Sequence, residues 1–418
     1  YDCRFGGEMF AHAAARVFGG HNIKVLLGTK FVSTPMVSLG VVKHQADMGV
    51  VITASHNPPS YNGYKLKSAY GGPSIPSEIA EVEDLMPSKA LSRLPSLDDM
   101  REEGLLEETD LEQMYFDHVM ASFDMEAIRN SGIKLAYDAM YGAGQDILPR
   151  ILPEAVLLHC DFNPSFKGQA PEPIMRNLQE LSDMISDDDS IHLGLANDGD
   201  ADRIGLFDDQ GNFVDSHHIL LLLLYYMHQH KGMRGKVVVT FSVTNKMQQL
   251  AERWGLDFEV TKIGFKYIAE IMTNEEILVG GEESGGLAVS GHIPERDGIW
   301  IGLVILEFMA KTGKSLRELI RMVYDEVGSF ACDRDDLHID EETKQRVIAQ
   351  CTDGVFTAFG DYQVEEIDKL DGFKFILPDD AWVMIRPSGT EPVLRVYAQG
   401  ADQAEVRRIL DATRATIL

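Results

Sequence analysis

Cysteine is scarce and scattered in this chain: Cys3, Cys160, Cys332 and Cys351 form no Cys-x-x-Cys pair. Neither a cysteine zinc site nor a disulfide framework is therefore indicated, and the thiols read as ordinary core or surface groups. Long apolar runs are also missing. The longest, 219–227, falls well short of the about 20 residues that a bilayer-spanning helix needs, and no signal-like apolar stretch opens the chain. Positive charge is in short supply, because 38 Lys and Arg face 66 Asp and Glu and leave a formal net charge of −28. Such a field repels nucleic acid and anionic membranes and keeps a protein dissolved. The expectation is a soluble, cytoplasmic protein, and a salt-adapted source also fits. If its ligand is an anion, the few cations must be gathered at the site.

What is present is enough apolar material for real cores. The 418 residues are 44% hydrophobic, which by length suggests about three domains. The chain opens without a methionine, and its first domain is expected to lack an N-terminal part. Periodicity predicts a helix over 8–18, a strand over 23–27 and a buried strand over 48–53 that runs into Ala54-Ser55-His56-Asn57-Pro58-Pro59. Prolines there stop regular structure and leave a serine at a strand end. From 73 to about 120 the pattern is acidic and helical.

A second α/β segment begins near 133. Its strand at 191–196 delivers Asn197-Asp198-Gly199-Asp200-Ala201-Asp202-Arg203 into a loop, followed by a hairpin over 204–214. A third segment alternates strand and helix from 237 to 279, reaches Gly280-Gly281-Glu282-Glu283-Ser284-Gly285-Gly286, and continues in helices over 298–311 and 315–327. From about 330 the rhythm changes to a small α+β pattern, with strands around Phe373, Val383 and Val396 and a last helix from Asp402.

Four stretches carry chemistry. Asp198, Asp200 and Asp202 alternate with small residues after a strand, so their carboxylates can converge on one hard cation, most naturally magnesium. An EF-hand is excluded because the position that needs glycine is Arg203 and the twelfth is Asp209 rather than glutamate. Ser55 is an exposed-looking nucleophile with His56, Asn57 and Lys65 for company, although a serine before His-Asn-Pro is more often a turn or cap residue. Arg386-Pro387-Ser388-Gly389-Thr390-Glu391-Pro392 offers a guanidinium, hydroxyls and open backbone amides, the donor set of a phosphate cradle or of an ordinary hairpin loop. Glu282 and Ser284, set among glycines, suit sugar hydroxyls. Lys262, Lys266, His292 and Arg296 flank them as sources of positive charge or proton transfer, or as plain surface groups.

Together the loops at 53–58, 198–203, 281–286 and 386–392 resemble, in order and spacing, those of the α-D-phosphohexomutase family. The glycine-rich loop looks most similar to that of its phosphoglucomutase and phosphomannomutase members. The resemblance implies an α/β fold of three similar domains with mixed sheets plus a smaller α+β C-terminal domain around a central cleft. The expected domains are 1–127 with the phosphoserine loop, 128–233 with the metal loop, 234–328 with the sugar loop and 329–418 with the phosphate loop.

Carried over residue by residue, Ser55 matches the phosphorylated serine and a metal ligand, and Asp198, Asp200 and Asp202 match the magnesium ligands. Arg203 matches the arginine beside the phosphoserine, and Lys65 a general acid/base. Glu282 and Ser284 match sugar contacts; Arg386, Ser388, Gly389 and Thr390 match the clamp on the phosphate that is not transferred. Two departures stand out. Some relatives carry a histidine, the base, where this chain has Gly286, so His292 is expected to serve instead. The family's Gly-Thr-Ser-Gly-x-Arg-Gly segment, with one active-site arginine, is not in this sequence.

The implied activity is reversible transfer between C1 and C6 of a hexose phosphate, with Mg2+ and a hexose 1,6-bisphosphate activator. Expected partners are hexose phosphates, with no nucleic acid or membrane, in a monomer or homodimer. Alternatives are a mutase for glucosamine or pentose phosphates, a non-catalytic sugar-phosphate sensor, and a phosphatase using the same carboxylates.

Overall fold

The computed structural model describes residues 1–387 and 393–418. The chain folds as two compact units, one formed by Tyr1–Lys236 with Phe265–Ile320, the other by Val237–Gly264 with Arg321–Leu418.

In the first unit the predicted helix appears as Gly7–Gly20 and the first strand as Val25–Gly28. Where the sequence reads as helical between 73 and 120, the structure adds a strand, Leu106–Thr109, paired in parallel with Val25–Gly28. Strand Met48–Ile52 pairs antiparallel with Tyr64–Ser68, which sets Val51 opposite Lys65. The central element is a mixed five-stranded sheet. Strand Leu135–Asp138 lies parallel to both Val156–Leu158 and Leu193–Asn197. Two antiparallel strands, Ile204–Phe207 and Phe213–Val214, extend the sheet beyond Leu193–Asn197.

Leu193–Asn197 is buried along its whole length, as its unbroken small and apolar sequence requires of a strand covered on both faces. In a sheet with parallel strands the crevice beyond their carboxyl ends is where ligands bind, and that is where Asp198 begins. Strand Ile277–Gly281 and its antiparallel partner Leu287–Val289 bracket the glycine-rich loop. The helix Gly298–Thr312 then starts at Asp297, whose carboxylate accepts the Trp300 N–H at 3.0 Å as an N-cap.

In the second unit, strands Lys236–Thr240 and Phe258–Thr261 run parallel, and the C-terminal part is a five-stranded sheet. Its strands pair antiparallel: Ala331–His338, Val393–Gly400, Trp382–Pro387, Phe373–Ile376 and Glu366–Asp368 in spatial order. Helices Glu341–Thr352 and Gln403–Ile417 bury Val347, Val406, Ile409 and Ile417 against the sheet residues Val383, Ile385, Leu394 and Val396. Among the described residues no helix is long and apolar enough to cross a membrane.

Candidate active site

The serine loop leaves strand Met48–Ile52 with Thr53 and Ala54 buried. Ser55 adopts φ +52°, a left-handed backbone that serine seldom holds. Its Oγ donates to Asp198 Oδ2 at 2.6 Å. This approach depends on Gly199, because a Cβ there would lie 2.5 Å from the Ser55 carbonyl oxygen.

The three aspartates converge as their alternation predicts. All are 0% exposed, and one oxygen of each lies within 4.8 Å of the others. Asp198 Oδ1 accepts the Arg203 N–H at 3.0 Å. Asp200 Oδ2 accepts Thr34 Oγ1 at 2.5 Å and Lys65 Nζ at 2.9 Å, and Asp202 Oδ2 accepts Arg296 Nη2 at 2.6 Å. Two further oxygens, Oδ1 of Asp200 and Oδ1 of Asp202, are buried with no protein partner. A buried carboxylate oxygen without a partner is costly. An all-oxygen cluster with such open positions fits a hard divalent cation.

Electrostatics separate the members of this cluster. Burial, with Asp200 and Asp202 alongside, pushes the Asp198 carboxyl well above its ordinary range. Burial also opposes the charge on Asp200, but Lys65, Thr34 and Arg296 outweigh it and hold that carboxyl low. Lys65 is held above its ordinary value because Asp200 and Asp202 overcome its burial. His56 is pushed down to about 3 by burial, with Arg203, Lys65 and Arg296 adding to the effect; it is neutral at ordinary pH.

The sugar-loop candidates meet the metal-loop candidates through Arg296. Besides Asp202 it reaches Glu282 at 3.8 Å and stands over the Phe265 ring at 5.4 Å. The backbones join as well, since Ile204 N donates to Gly285 O at 3.2 Å and Arg203 bridges to Gly286. Glu282 is buried, which raises its carboxyl to about 7. Ser284 is half-buried on the same loop.

The structure does not bring His292 to this cluster: Nε2 lies 2.9 Å from Asp297 Oδ2, Nδ1 lies 3.2 Å from His118, and the ring stacks on Trp300 at 3.8 Å. With both ring nitrogens engaged, it supports the start of helix Gly298–Thr312. Lys266 is exposed, its amine 5.1 Å from the Tyr267 ring. In the second unit Lys262 is exposed, and Arg386 pairs with Asp371 at 3.3 Å. Ser388, Gly389 and Thr390 lie outside the described residues.

Sequence reasoning missed Arg4, Thr34 and Glu295. Arg4 donates to the serine loop, Thr34 holds Asp200, and Glu295 forms a buried ion pair with Lys67. No local signal marks Arg4, whose partners in the serine loop lie more than 50 residues on.

A serine hydroxyl facing a buried carboxylate triad, on an α/β scaffold with a carboxylate-bearing glycine loop beside it, marks the phosphomutase class of enzymes. Comparison with known proteins agrees along most of the chain. Family profiles described as phosphoglucomutase/phosphomannomutase α/β/α domains I, II and III match residues 1–93, 113–211 and 215–327, and the C-terminal domain profile matches 349–416. A phosphoglucomutase/phosphomannomutase of Thermococcus kodakarensis is 30% identical over 98% of this chain and 87% of its own length. A phosphoglucosamine mutase of Methanococcus maripaludis is 30% identical over 98% and 89% respectively. A crystal structure of a candidate phosphomannomutase from Thermus thermophilus superposes with a TM-score of 0.86 at 33% identity, over 100% of this chain and 89% of that one. The chain belongs to the phosphoglucomutase/phosphomannomutase family of α-D-phosphohexomutases, with three α/β/α domains and a C-terminal domain, and is an enzyme of the phosphohexomutase type.

Proposed function

We propose that the chain interconverts the 1- and 6-phosphates of a hexose, glucose or mannose, by moving a phosphoryl group through Ser55. The observation that carries this reading is the 2.6 Å contact between Ser55 Oγ and Asp198, beside two partnerless buried carboxylate oxygens. Asp198, Asp200, Asp202 and the Ser55 oxygen are the residues that would hold Mg2+. When bound, that cation supplies compensation for the nearly two negative charges of a phosphoserine.

In the reading's first half, the C6 hydroxyl oxygen of a hexose 1-phosphate bonds to the phosphorus on Ser55, and the P–O bond to the serine oxygen breaks. The hydroxyl proton leaves to a base and the serine oxygen takes up a proton, giving a bound 1,6-bisphosphate and a free serine hydroxyl. After the sugar turns end over end, the serine hydroxyl gives up its proton as its oxygen bonds to the phosphorus carried at C1, the bond from that phosphorus to the C1 oxygen breaks, the C1 oxygen takes a proton, and the 6-phosphate leaves. In-line transfer asks mainly for positioning and charge stabilisation. Lys65, kept cationic by its aspartates, can steady the transferring group and return a proton. Arg203 stands beside the phosphoserine. Glu282 and Ser284, beside Arg296, are assigned the sugar hydroxyls, and Lys262 and Lys266 the role of added positive charge. Arg386 with the 388–390 segment clamps the phosphate at rest. Because His292 is engaged with Asp297, we do not assign it the base.

The partners of this activity are small hexose phosphates rather than nucleic acid or membrane, handled in the cytoplasm by a monomer or homodimer. The relatives named phosphoglucosamine mutase favour a second reading in which glucosamine phosphate is the preferred sugar. The test is turnover of glucose, mannose and glucosamine 1-phosphates with Mg2+ and the matching 1,6-bisphosphate, in the wild type and in Ser55→Ala. Isomer formation lost in Ser55→Ala supports the reading. Undiminished turnover in that variant, or release of free phosphate without isomer, overturns it.

A further inference from the structure

Arg4 stands behind the serine loop and commits every N–H of its side chain. Nε donates to Asp2 Oδ2 at 3.2 Å. Nη1 donates to the carbonyl oxygens of Pro58 at 2.9 Å and Tyr61 at 3.2 Å. Nη2 donates to those of Asn57, at 2.7 Å, and Ser55. A guanidinium has five N–H donors, and these contacts use them all. The side chain is 0% exposed, and its carbon lies 5.0 Å from the Phe166 ring centroid.

A second path reaches the same serine through Asp2. Asp2 Oδ2 accepts Thr53 Oγ1 at 2.6 Å, and Thr53 Oγ1 in turn accepts the Ser55 N–H at 2.9 Å. Asp2 Oδ1 accepts the Arg4 N–H at 3.0 Å, and Asp2 N donates to Ile52 O at 3.0 Å. The backbone of Ser55 is thus gripped at its N–H and at its C=O by one connected network. Such a grip is what a non-glycine residue needs to stay at φ +52°, because this conformation persists only where the surroundings over-determine it.

We propose that Asp2 and Arg4 act as a positioning pair, holding Ser55 left-handed so that its Oγ is aimed at Asp198 for phosphoryl transfer. This rests on the reading of Ser55 as phosphoryl carrier. Stability alone is a poor account of the arrangement, since a buried ion pair returns little net free energy after desolvation and is better suited to fixing one conformation. Lysine cannot replace the arginine, because one ammonium with three donors does not span four carbonyls and a carboxylate.

The test uses the full chain as wild type, Arg4→Lys, Thr53→Val and Ser55→Ala. The readouts are kcat and KM for glucose 1-phosphate with Mg2+, Ser55 phosphate by intact mass after mixing with glucose 1,6-bisphosphate, and the thermal midpoint. Misplacing a reacting atom by about 1 Å costs on the order of 100-fold. Arg4→Lys and Thr53→Val are therefore expected to lose roughly that much kcat per folded molecule, with KM within about threefold and slower phosphate loading. A merely structural role would lower the thermal midpoint and leave kcat per folded molecule unchanged. That result, alongside an inactive Ser55→Ala, overturns the pair and leaves the serine's role standing. Full turnover in Ser55→Ala removes the carrier reading and the pair with it. Should Arg4→Lys fail to fold, Thr53→Val decides alone, as it removes one hydroxyl and keeps the side-chain shape.

Discussion

Gly286 and Arg296 share one space. A Cβ placed on Gly286 would lie 2.5 Å from Arg296 Cδ, so the position where some relatives carry a histidine is filled here by the arginine that joins Asp202 to Glu282. Gly286→His is expected to lower turnover rather than supply a missing base, because the imidazole must push Arg296 off its carboxylates. Losing a charge-assisted hydrogen bond costs about 1.5–3 kcal/mol, so a fall of about tenfold or more in kcat/KM is expected in steady-state assays. A gain would show that the arginine's placement is unimportant.

On the proposed function, Arg386 is expected to bear on substrate grip rather than chemistry. In the folded chain its guanidinium rests on Asp371 at 3.3 Å, and we expect Arg386→Ala to weaken hexose 1-phosphate binding by about tenfold or more, again from the loss of one charged hydrogen bond. Titration calorimetry with the Ser55→Ala background keeps binding separate from turnover. Unchanged affinity would remove this residue from the clamp.

Metal removal is expected to be visible without any assay of activity. Three buried carboxylates with two partnerless oxygens repel one another, so Mg2+ added to chelated protein should raise the thermal midpoint. At a hundred times its dissociation constant a ligand specific for the folded state adds about 2.7 kcal/mol. Asp202→Asn should lose most of that increment. A wild-type midpoint indifferent to Mg2+ would argue against a cation at this cluster.

A pH-dependent contribution to stability is expected from His159. Its Nδ1 lies 3.0 Å from Asp138 Oδ1, and this hydrogen bond outweighs burial and raises the imidazole above its ordinary value. A group whose folded value is raised stabilises fully below its unfolded value, about 6.5, and loses that stabilisation as pH climbs through the folded value. The stability difference between wild type and His159→Gln, from urea unfolding, should therefore be larger at pH 5.5 than at pH 8.5. An equal difference at both would mean that the ion pair contributes nothing.

Much of this molecule was legible because its signals are local. The strand that ends at Asn197 and the triad after it are contiguous, as are the serine and its strand, and periodicity placed the helices Gly7–Gly20 and Gly298–Thr312. What escaped depends on distant partners. Leu106–Thr109 contains two glutamates and reads as helical; only its parallel pairing with Val25–Gly28 makes it a strand. The grip of Thr34 on Asp200 and the Lys67–Glu295 pair follow no spacing rule, since each joins residues far apart in the chain. His292 was expected as the base from its neighbours in sequence, whereas stacking on Trp300 and the hydrogen bond with Asp297 decide its place.

Arg4 holds its loop entirely through main-chain oxygens. The exposed side chains Asn57 and Tyr61 can therefore be exchanged by mutation while the cradle beneath them keeps its shape, provided each replacement tolerates the same backbone angles.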